Sequence, residues 1–481
     1  MRTKTPSQWK IPYEVDSNPM PGHVTGLGGV AVASRAFRGM KLPGACDANL
    51  GNLRRINLGH TAGEMVETIV CALMMGAQSA QEIERLTDDE VVERILGYKP
   101  SSVRSVRDWL ERFHCEQAVT DARQQALALE LKASVPEPTE GLRGLQAILG
   151  ASARATAARQ PGGAFRVATI DLDATVAACG KRSAQCAYTG ERGYQPVVAV
   201  WAEAQVVLAT EFRDGNVPAH MDPLTCASLA FSELPTGIVE RCFRGDSACD
   251  NGTLLEWLDN EERADGPKGM IRYAVSARME PTLAAAARAV PEDAWKTFCR
   301  DKDGTIKQWA DLDYVPRLES EKRDTKPRRY IGIRFAKPQG ELFDDGNHLK
   351  HYAIVTNRTE SGEKVINWHR EKAGTVEHVH DELKNELAAR RFPSQKFGVN
   401  AAWFALNAIA YNVMSSLRVS CPEAEERVQR IRSVRYNLLT VGARLSRLSR
   451  KIVLRFAAPR QWVERILRIF DAFPCRVQPT G

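Results

Sequence analysis

The stretch of sequence that most limits the fold lies at residues 165–176, where FRVATIDLDATV has the apolar period of a β-strand. Two more runs of this kind, PVVAVWAE and QVVLATEFRDGNV, follow it, and TGERGY and RDGN supply turn sequences. Consecutive strands with short connections are typical of an antiparallel meander. The sequence therefore predicts three neighbouring antiparallel strands that begin at residue 165.

A fourth predicted strand, GIVERCFRGD, ends at Asp246, much as the first strand ends in Asp171 and Asp173. Burying an unpaired carboxylate is costly, so each of these acids needs a partner. Glu377, early in a predicted helix, is a third acid with apolar and basic neighbours. Mg²⁺ prefers oxygen ligands of this kind. On spacing alone, a metal site and a set of salt bridges and helix caps both remain open.

The whole chain has 481 residues, of which 43% are hydrophobic and 26% are charged, with a net charge of +7. This composition is typical of a globular protein with several domains. No apolar run reaches the length of a membrane span, and no secretory signal is recognised. The 11 cysteines stand singly, without zinc-ligand spacing, which favours reduced thiols in a cytoplasmic protein.

The organisation along the chain is predicted to be mixed α/β. We expect five parts: an N-terminal region at 1–164, a first core part at 165–265, a β-rich insertion at 266–363, a last core part at 364–420 and a basic helical region at 421–481. The N-terminal region is expected to be irregular to residue 58 and mostly helical from residue 61. Thr87, Glu90 and Gly97 are predicted to cap and end one N-terminal helix. The helix pair there is compatible with a DNA-binding helix-turn-helix and equally with an ordinary bundle.

Seven motifs, in order, carry a resemblance to a known family. They are IDLDATV, YTGERGYQPVVAV, FRDGNV, FRGDSAC, YAIVTN, GTVEHVHDELKNEL and FGVNAAWFALNAIAYNV. Together they resemble the DDE transposases of bacterial insertion sequences, in the group with a β-strand insertion. The resemblance runs from about Thr61 to near the C-terminus, and it implies an RNase H-like catalytic core that the insertion interrupts.

The resemblance also implies site residues. Asp173, Asp246 and Glu377 would be the catalytic, metal-binding triad for two Mg²⁺ ions, for which Mn²⁺ can substitute. Lys384 would contact a phosphate group. The family's arginine ahead of the glutamate is replaced here by Ala373, so Arg370 or Lys372 is expected to take its place on DNA.

Asp171 lies two residues before Asp173 and on the same predicted strand face. It is a further candidate metal ligand or a support for the first ligands, and partnership with a nearby arginine is an equally good interpretation. Other polar or aromatic candidates have ordinary interpretations. His378 and His380 are predicted to lie on a helix surface, and Trp295 and Trp309 are predicted to pack in a core rather than to stack on a base.

The resemblance implies a transposase that cleaves DNA at the inverted repeats of its element and joins the ends to target DNA. It would act as a homodimer on double-stranded DNA in the bacterial cytoplasm, at the nucleoid. The C-terminal segment has a strong excess of basic over acidic residues. This excess is compatible with DNA contact by Arg444, Arg447 and Arg450, and equally with a solvated helical face. A metal-dependent nuclease without strand transfer, and an inactive DNA-binding descendant of a transposase, are the alternatives.

Overall fold

In the computed structural model, the strands predicted from residue 165 onward lie in one nine-stranded mixed sheet. The structure describes residues 16–18, 20–53, 59–160, 164–316, 327–338, 341–420, 429–448 and 451–475. The sheet has the strand order β10-β11-β12-β13-β9-β8-β2-β6-β7. Its strands are β2 (Val167–Ala174), β6 (Val197–Trp201), β7 (Val206–Glu211), β8 (Glu240–Gly245), β9 (Ile271–Ser276), β10 (Lys296–Arg300), β11 (Ile306–Leu312), β12 (Arg329–Ala336) and β13 (Leu349–Thr356).

Two smaller sheets accompany the large one. A three-stranded sheet that follows β2 contains β3 (Ala177–Ala178), β4 (Gln185–Cys186) and β5 (Arg192–Tyr194). The other joins the two ends of the described chain, and it contains β1 (His23–Thr25), β14 (Gly442–Leu448) and β15 (Lys451–Ala457).

Five strands of the large sheet form the predicted core. β2, β6 and β7 pair antiparallel as the expected meander, whereas β8 and β9 are added in parallel on the other side of β2. The sequence order of these strands is therefore 3-2-1-4-5 across the sheet, which is the RNase H-like arrangement. The mixed α/β fold and the RNase H-like core are thus confirmed.

The insertion strands extend this same sheet instead of forming a separate one. β13 pairs antiparallel with β9, and β12, β11 and β10 follow outward. β9 itself lies beyond residue 265, where the first core part was predicted to end, and it pairs in parallel with β8. The five-part division of the chain stays a prediction, but the fifth core strand belongs on the core side of that boundary.

The two insertion tryptophans are buried, as the packing interpretation predicts. Trp295 is 7% exposed and Trp309 is 8% exposed. Trp309 lies so close to Gly362 that a Cβ atom at Gly362 would come within 2.2 Å of the indole ring. This contact fixes the insertion against the start of the helix Gly362–Arg370, so the ring serves packing.

Helices cover the sheet and form the N-terminal region. In chain order they are α1 (Val30–Gly39), α2 (Leu42–Leu50), α3 (Ala62–Met75), α4 (Glu84–Thr87), α5 (Glu90–Leu96), α6 (Val103–Leu110), α7 (Glu116–Ala128), α8 (Glu140–Ala157), α9 (Pro223–Ser232), α10 (Gly252–Asp259), α11 (Pro281–Ala289), α12 (Gly362–Arg370), α13 (Val376–Asn385), α14 (Phe397–Val419), α15 (Ile431–Val434) and α16 (Arg460–Ala472). α14 is the apolar helix predicted to be buried, and nearly all its residues are inaccessible to solvent.

The N-terminal region is more helical than predicted. α1 and α2 lie within residues 1–58, which were expected to be irregular, so that prediction is wrong for these two segments. Asp89, not Thr87, caps α5 by accepting hydrogen bonds from the backbone N–H groups of Val91 and Val92. Gly97 ends α5 in a left-handed conformation, as predicted. The helix pair α5 and α6 is present, and its contact with DNA stays a prediction.

The C-terminal region is not a continuous basic helix. Residues 442–457 form the β14–β15 hairpin, and only α15 and α16 are helical within the described part of 421–481, apart from a π-helical turn at 435–439. Arg444 and Arg447 therefore lie on a strand, three residues apart and on opposite faces. Arg450 lies outside the described residues. Alternating buried and exposed residues in β14 explain why the helical prediction is wrong here.

The sequence predicts no membrane-spanning segment and reduced cysteines. Within the described ranges, no helix has the length and apolar character needed to cross a membrane. The cysteines of these ranges are all free thiols.

Candidate active site

Asp173 and Asp246 lie at the carboxyl ends of adjacent parallel strands. The parallel register pairs Asp171 of β2 with Arg244 of β8, so the residues two positions further along reach the same edge of the sheet. Asp246 directly follows β8, and one of its carboxylate oxygens accepts a hydrogen bond of 3.0 Å from the Ala248 N–H. The sheet therefore brings together the two aspartates that the sequence singles out.

Glu377 is the third predicted acid, and it lies on a helix rather than at the end of a strand. It is the second residue of α13, which packs on β2 and β6. Burial raises the pKa of Asp173 to about 6, Lys372 opposes the rise, and the negative charges of Asp246 and Glu377 contribute to it. The negative charges of Asp246 and Glu377 therefore both act on Asp173.

Lys372 and His380 are the basic groups nearest Asp173. Lys372 is buried, and its Nζ atom lies 3.6 Å from Oδ2 of Asp173. His380 Nε2 lies 3.8 Å from the same oxygen. Burial, together with the positive charges of Lys384 and Lys372, lowers the pKa of His380 to about 3, so its ring is neutral at ordinary pH. Lys372 is therefore the countercharge of Asp173.

His380 corrects one prediction. It was expected on the helix surface, but it is 5% exposed, and neither ring nitrogen has a hydrogen-bond partner. The reason is its position four residues after Val376, which places both side chains on the buried face of α13. His378, by contrast, is partly exposed and lies 3.4 Å from Glu382.

Lys384 reaches the same edge of the sheet from the end of α13. Its Nζ atom donates a 2.8 Å hydrogen bond to the hydroxyl of Thr175, two residues after Asp173. Burial lowers the pKa of Lys384, and nearby charges modify the effect. The position two turns after Glu377 thus places the ammonium group beside the acidic residues.

Arg370 points toward the insertion instead. Its guanidinium lies over the rings of Phe298 and Phe335, at 5.2 and 5.9 Å from their centroids. Arg370 also lines a cavity of about 680 Å³ whose wall includes Asp246 and Tyr352. Arg370 and Lys372 therefore occupy different places: Lys372 lies at the acids, and Arg370 lies in the adjoining cavity.

Asp171 is held by an arginine, which is the second of its two predicted interpretations. It is fully buried, and its two oxygens accept hydrogen bonds of 2.6 and 2.9 Å from the Nε and Nη2 atoms of Arg244. The hydroxyl of Thr375 also contacts Oδ2 of Asp171. Because both oxygens are engaged in this way, we remove Asp171 from the candidate metal ligands.

The donor set at Asp173, Asp246 and Glu377 fits a divalent cation by its chemistry. All three are hard oxygen donors, and burial raises the pKa of the Asp173 carboxylate despite the opposing charge of Lys372. Among the described residues, no group of three or more His, Cys, Asp or Glu side chains is arranged closely enough to hold a metal ion as it stands. The fit therefore rests on donor type and electrostatics.

The raised pKa of Asp173 has a consequence for stability. Because the folded protein holds the Asp173 proton more tightly than the unfolded chain does, the charged carboxylate destabilises the fold above about pH 6 and not below about pH 4. In EDTA at pH 8, we expect Asp173→Asn to raise the free energy of unfolding by about 1–3 kcal/mol. The gain should disappear as the pH falls from 6 to 4.

Urea denaturation at several pH values measures this gain. Asp313→Asn, which changes an exposed acid of the insertion, is the matched control and should change little at any pH. A destabilised Asp173→Asn protein at pH 8 would contradict the electrostatic description of the site.

An RNase H-like sheet with acidic side chains at the ends of its central strands is the architecture of a DDE transposase. The sequence profile described as Transposase DDE domain group 1 matches residues 13–474, and the chain belongs to this family. Among solved structures it is similar to a piggyBac transposase, described by cryo-EM as a synaptic complex with hairpin DNA. That similarity has 10% identity and a TM-score of 0.40, over 85% of this chain and 79% of that chain. No curated protein matches the chain.

Arg244, Thr375 and His380 are the residues of this region that the motifs did not single out for a role. A usable signal was present in their spacing, since Arg244 and Thr375 each precede a predicted catalytic acid by two residues, as Asp171 does.

Proposed function

We propose that this protein is an active transposase that binds the terminal inverted repeats of its element, cleaves the ends and transfers the strands to target DNA. One observation carries the proposal: Asp173 and Asp246 lie at the carboxyl ends of adjacent parallel strands, and the helix that begins at Val376 and Glu377 packs on the strand that carries Asp173. Membership of the DDE family supports the same assignment of these three acids.

Asp173, Asp246 and Glu377 are assigned as the ligands of two Mg²⁺ ions, for which Mn²⁺ can substitute. When bound, such ions supply the charge that activates a nucleophile and stabilises the leaving oxygen of a phosphodiester. The protein's part is positional, because two strand ends and the start of a helix are rigid supports for the three carboxylates. Lys372, near Asp173, and Lys384, near Thr175, are placed to bind the phosphate oxygens of the scissile strand.

Arg370 is assigned to DNA outside the group of acids. The cavity that it lines also contains Asp246, so a strand that passes the acids would extend past Arg370. Its guanidinium is held over two phenylalanine rings, which orders the side chain before DNA arrives. This placement favours Lys372 for the scissile phosphate and Arg370 for a neighbouring one.

The test of the proposed function uses purified protein and duplex DNA that carries the inverted repeat of its own element. With Mg²⁺ or Mn²⁺, the protein should cut at the repeat end and produce joined products with a target plasmid. Cleavage of any duplex without joining would indicate the nuclease alternative. Specific binding without cleavage in either metal would indicate the inactive DNA-binding alternative.

The basic C-terminal hairpin is assigned to DNA contact by charge. Arg444 and Arg447 are exposed on β14, and β14 also pairs with β1 near the start of the described chain. We expect Arg444→Ala/Arg447→Ala to weaken binding to all DNA sequences alike. The slope of log affinity against log salt concentration should become shallower by about one to two, because each lost phosphate contact removes about one released ion.

Fluorescence anisotropy with the repeat DNA and a scrambled duplex, from about 50 to 200 mM salt, measures that slope. An unchanged slope and affinity would show that these two arginines are only solvated. A loss confined to the repeat DNA would show instead that they recognise sequence.

We also propose that two copies act together at the paired ends of the element, in the bacterial cytoplasm at the nucleoid. Joining two ends in one event requires two active sites, so the protein–DNA complex should contain two protein chains. Light scattering coupled to size exclusion, with and without repeat DNA, measures this number. A complex with a single chain that still joins paired ends would contradict the dimer.

A further inference from the structure

Each of the three proposed catalytic acids follows, by two positions, a residue that belongs to one buried hydrogen-bond network. Asp171 precedes Asp173 on β2, Arg244 precedes Asp246 at the end of β8, and Thr375 precedes Glu377 at the start of α13. We propose that Asp171, Arg244 and Thr375 form a positioning network that holds the three acids in register with one another. This inference rests on the proposed function, because it assumes the roles of those acids.

Asp171 is the centre of the network. The guanidinium of Arg244 binds it with two parallel hydrogen bonds of 2.6 and 2.9 Å, and Thr375 contacts the same carboxylate through its hydroxyl. A forked arginine–carboxylate pair fixes distance and angle together, unlike a single hydrogen bond. The contacts therefore tie β2, β8 and α13 together directly behind the acids.

Thr375 shows that α13 gives up a usual contact to join the network. A threonine at this N-cap position ordinarily accepts a hydrogen bond from a backbone N–H of its own helix. Here Thr375 is the N-cap residue of α13, but its side chain caps no N–H group. Its hydroxyl meets Asp171 and, at 3.0 Å, the backbone oxygen of Lys372. The start of the helix that carries Glu377 is thereby fixed to the strand that carries Asp173.

Arg244 extends the network to the segment before α13. Its Nη1 atom donates hydrogen bonds to the backbone oxygen of Trp368 at 2.7 Å and to Glu371 at 3.0 Å. His369, the next residue after Trp368, lies 2.9 Å from the backbone oxygen of Gly245, immediately before Asp246. Both contacts hold the end of α12 against the end of β8. All members of the network act through the acids, so they are positioning residues.

Loss of one positioning contact should loosen the acids without removing a ligand. Residues that orient metal ligands typically change metal affinity by about 10–100-fold when they are altered. We expect Thr375→Val, which keeps the shape and removes the hydroxyl, to raise the Mn²⁺ dissociation constant and the Mg²⁺ concentration for half-maximal cleavage by about that factor. Thr375→Ser should restore both, because it keeps the hydroxyl.

A second variant tests the same network if Thr375→Val does not fold. Arg244→Lys keeps the charge but removes the fork, and we expect a similar loss of metal affinity. Arg38→Lys is the matched control, since Arg38 makes an equivalent forked contact with Glu67 in the N-terminal helices. It should lower the melting temperature without changing metal affinity.

Electron paramagnetic resonance of free Mn²⁺ measures the Mn²⁺ dissociation constant. A Mg²⁺ titration of the cleavage rate measures the Mg²⁺ concentration for half-maximal cleavage. Wild-type metal affinity in both Thr375→Val and Arg244→Lys would overturn the network, as would an equal loss of affinity in Arg38→Lys. Failure of the proposed function would look different: Asp246→Ala would then still cleave. An inactive Asp246→Ala protein, beside Thr375→Val and Arg244→Lys proteins that both have normal metal affinity, would reject the network alone.

Discussion

Asp246→Ala and Glu377→Ala are each expected to lose cleavage by at least about 1,000-fold while they still bind the repeat DNA. A bound metal ion supplies several kcal/mol of charge stabilisation in the transition state, and each 1.36 kcal/mol corresponds to about a tenfold change in rate. Binding should survive, because phosphate contacts come from basic side chains elsewhere on the protein. A gel shift and a cleavage assay on the same repeat DNA measure the two properties separately.

The control for this loss is another acid of the same neighbourhood. Glu363 is exposed near the start of α12, one helix before Glu377, and Glu363→Ala should cleave at the wild-type rate. Substantial cleavage by either Asp246→Ala or Glu377→Ala would remove that residue from the catalytic group. Loss of binding together with cleavage would show that the acid supports the fold or the DNA surface instead.

Arg244→Met is expected to lower the free energy of unfolding by about 3–5 kcal/mol. The substitution leaves Asp171, which is fully buried, without its guanidinium partner, and breaking one side of a buried ion pair has a cost of that size. The backbone oxygen of Trp368 loses a hydrogen bond as well. Urea denaturation followed by circular dichroism measures the change, ideally in EDTA so that metal binding does not contribute.

A double variant separates the ion pair from simple packing. Replacing both partners of a buried pair by apolar residues is often close to neutral, since no charge is left unpaired. Asp171→Leu/Arg244→Met should therefore recover most of the stability that Arg244→Met loses, although its cleavage should remain impaired. Equal instability of the single and double variants would indicate that shape, and not the buried charge, dominates at this position.

The acids at the strand ends could be predicted from the sequence, because each follows a segment with the residue alternation of a β-strand. β2 is a largely apolar strand that carries Asp173 next to its last residue, β8 ends directly before Asp246, and parallel strands bring such ends to one edge. Glu377 needed the family motif, since nothing in the local pattern of α13 distinguishes it from the other acids of that helix. The RNase H-like fold class followed from the family resemblance, which rests on seven motifs in order.

The roles of Asp171 and His380 could not be predicted because they depend on neighbours from distant parts of the chain. Asp171 has the same strand face as Asp173, and only the register with β8 shows that Arg244 lies opposite it. His380 sits in a charged helix, and its burial results from how that helix packs on the sheet. Sequence spacing shows on which face of a strand or helix a side chain lies. It does not show which residue of another element contacts that side chain.

The C-terminal hairpin was mispredicted for a different reason. A basic segment with scattered leucines suits an amphipathic helix, and this composition outweighed the alternation that β14 shows in Ala443, Arg444 and Leu445. The pairing partner of β14 on one side is β1, more than 400 residues earlier in the chain. A strand stabilised by such a remote partner has little local signal.

The most direct test of the central claim is to locate bound Mn²⁺ by anomalous X-ray scattering in crystals of the protein with repeat DNA. We expect anomalous peaks within bonding distance of the carboxylates of Asp173 and Asp246, with Glu377 at one of them and none at Asp171. Peaks at Asp171, or no peak at these acids at a Mn²⁺ concentration that supports cleavage, would contradict that claim.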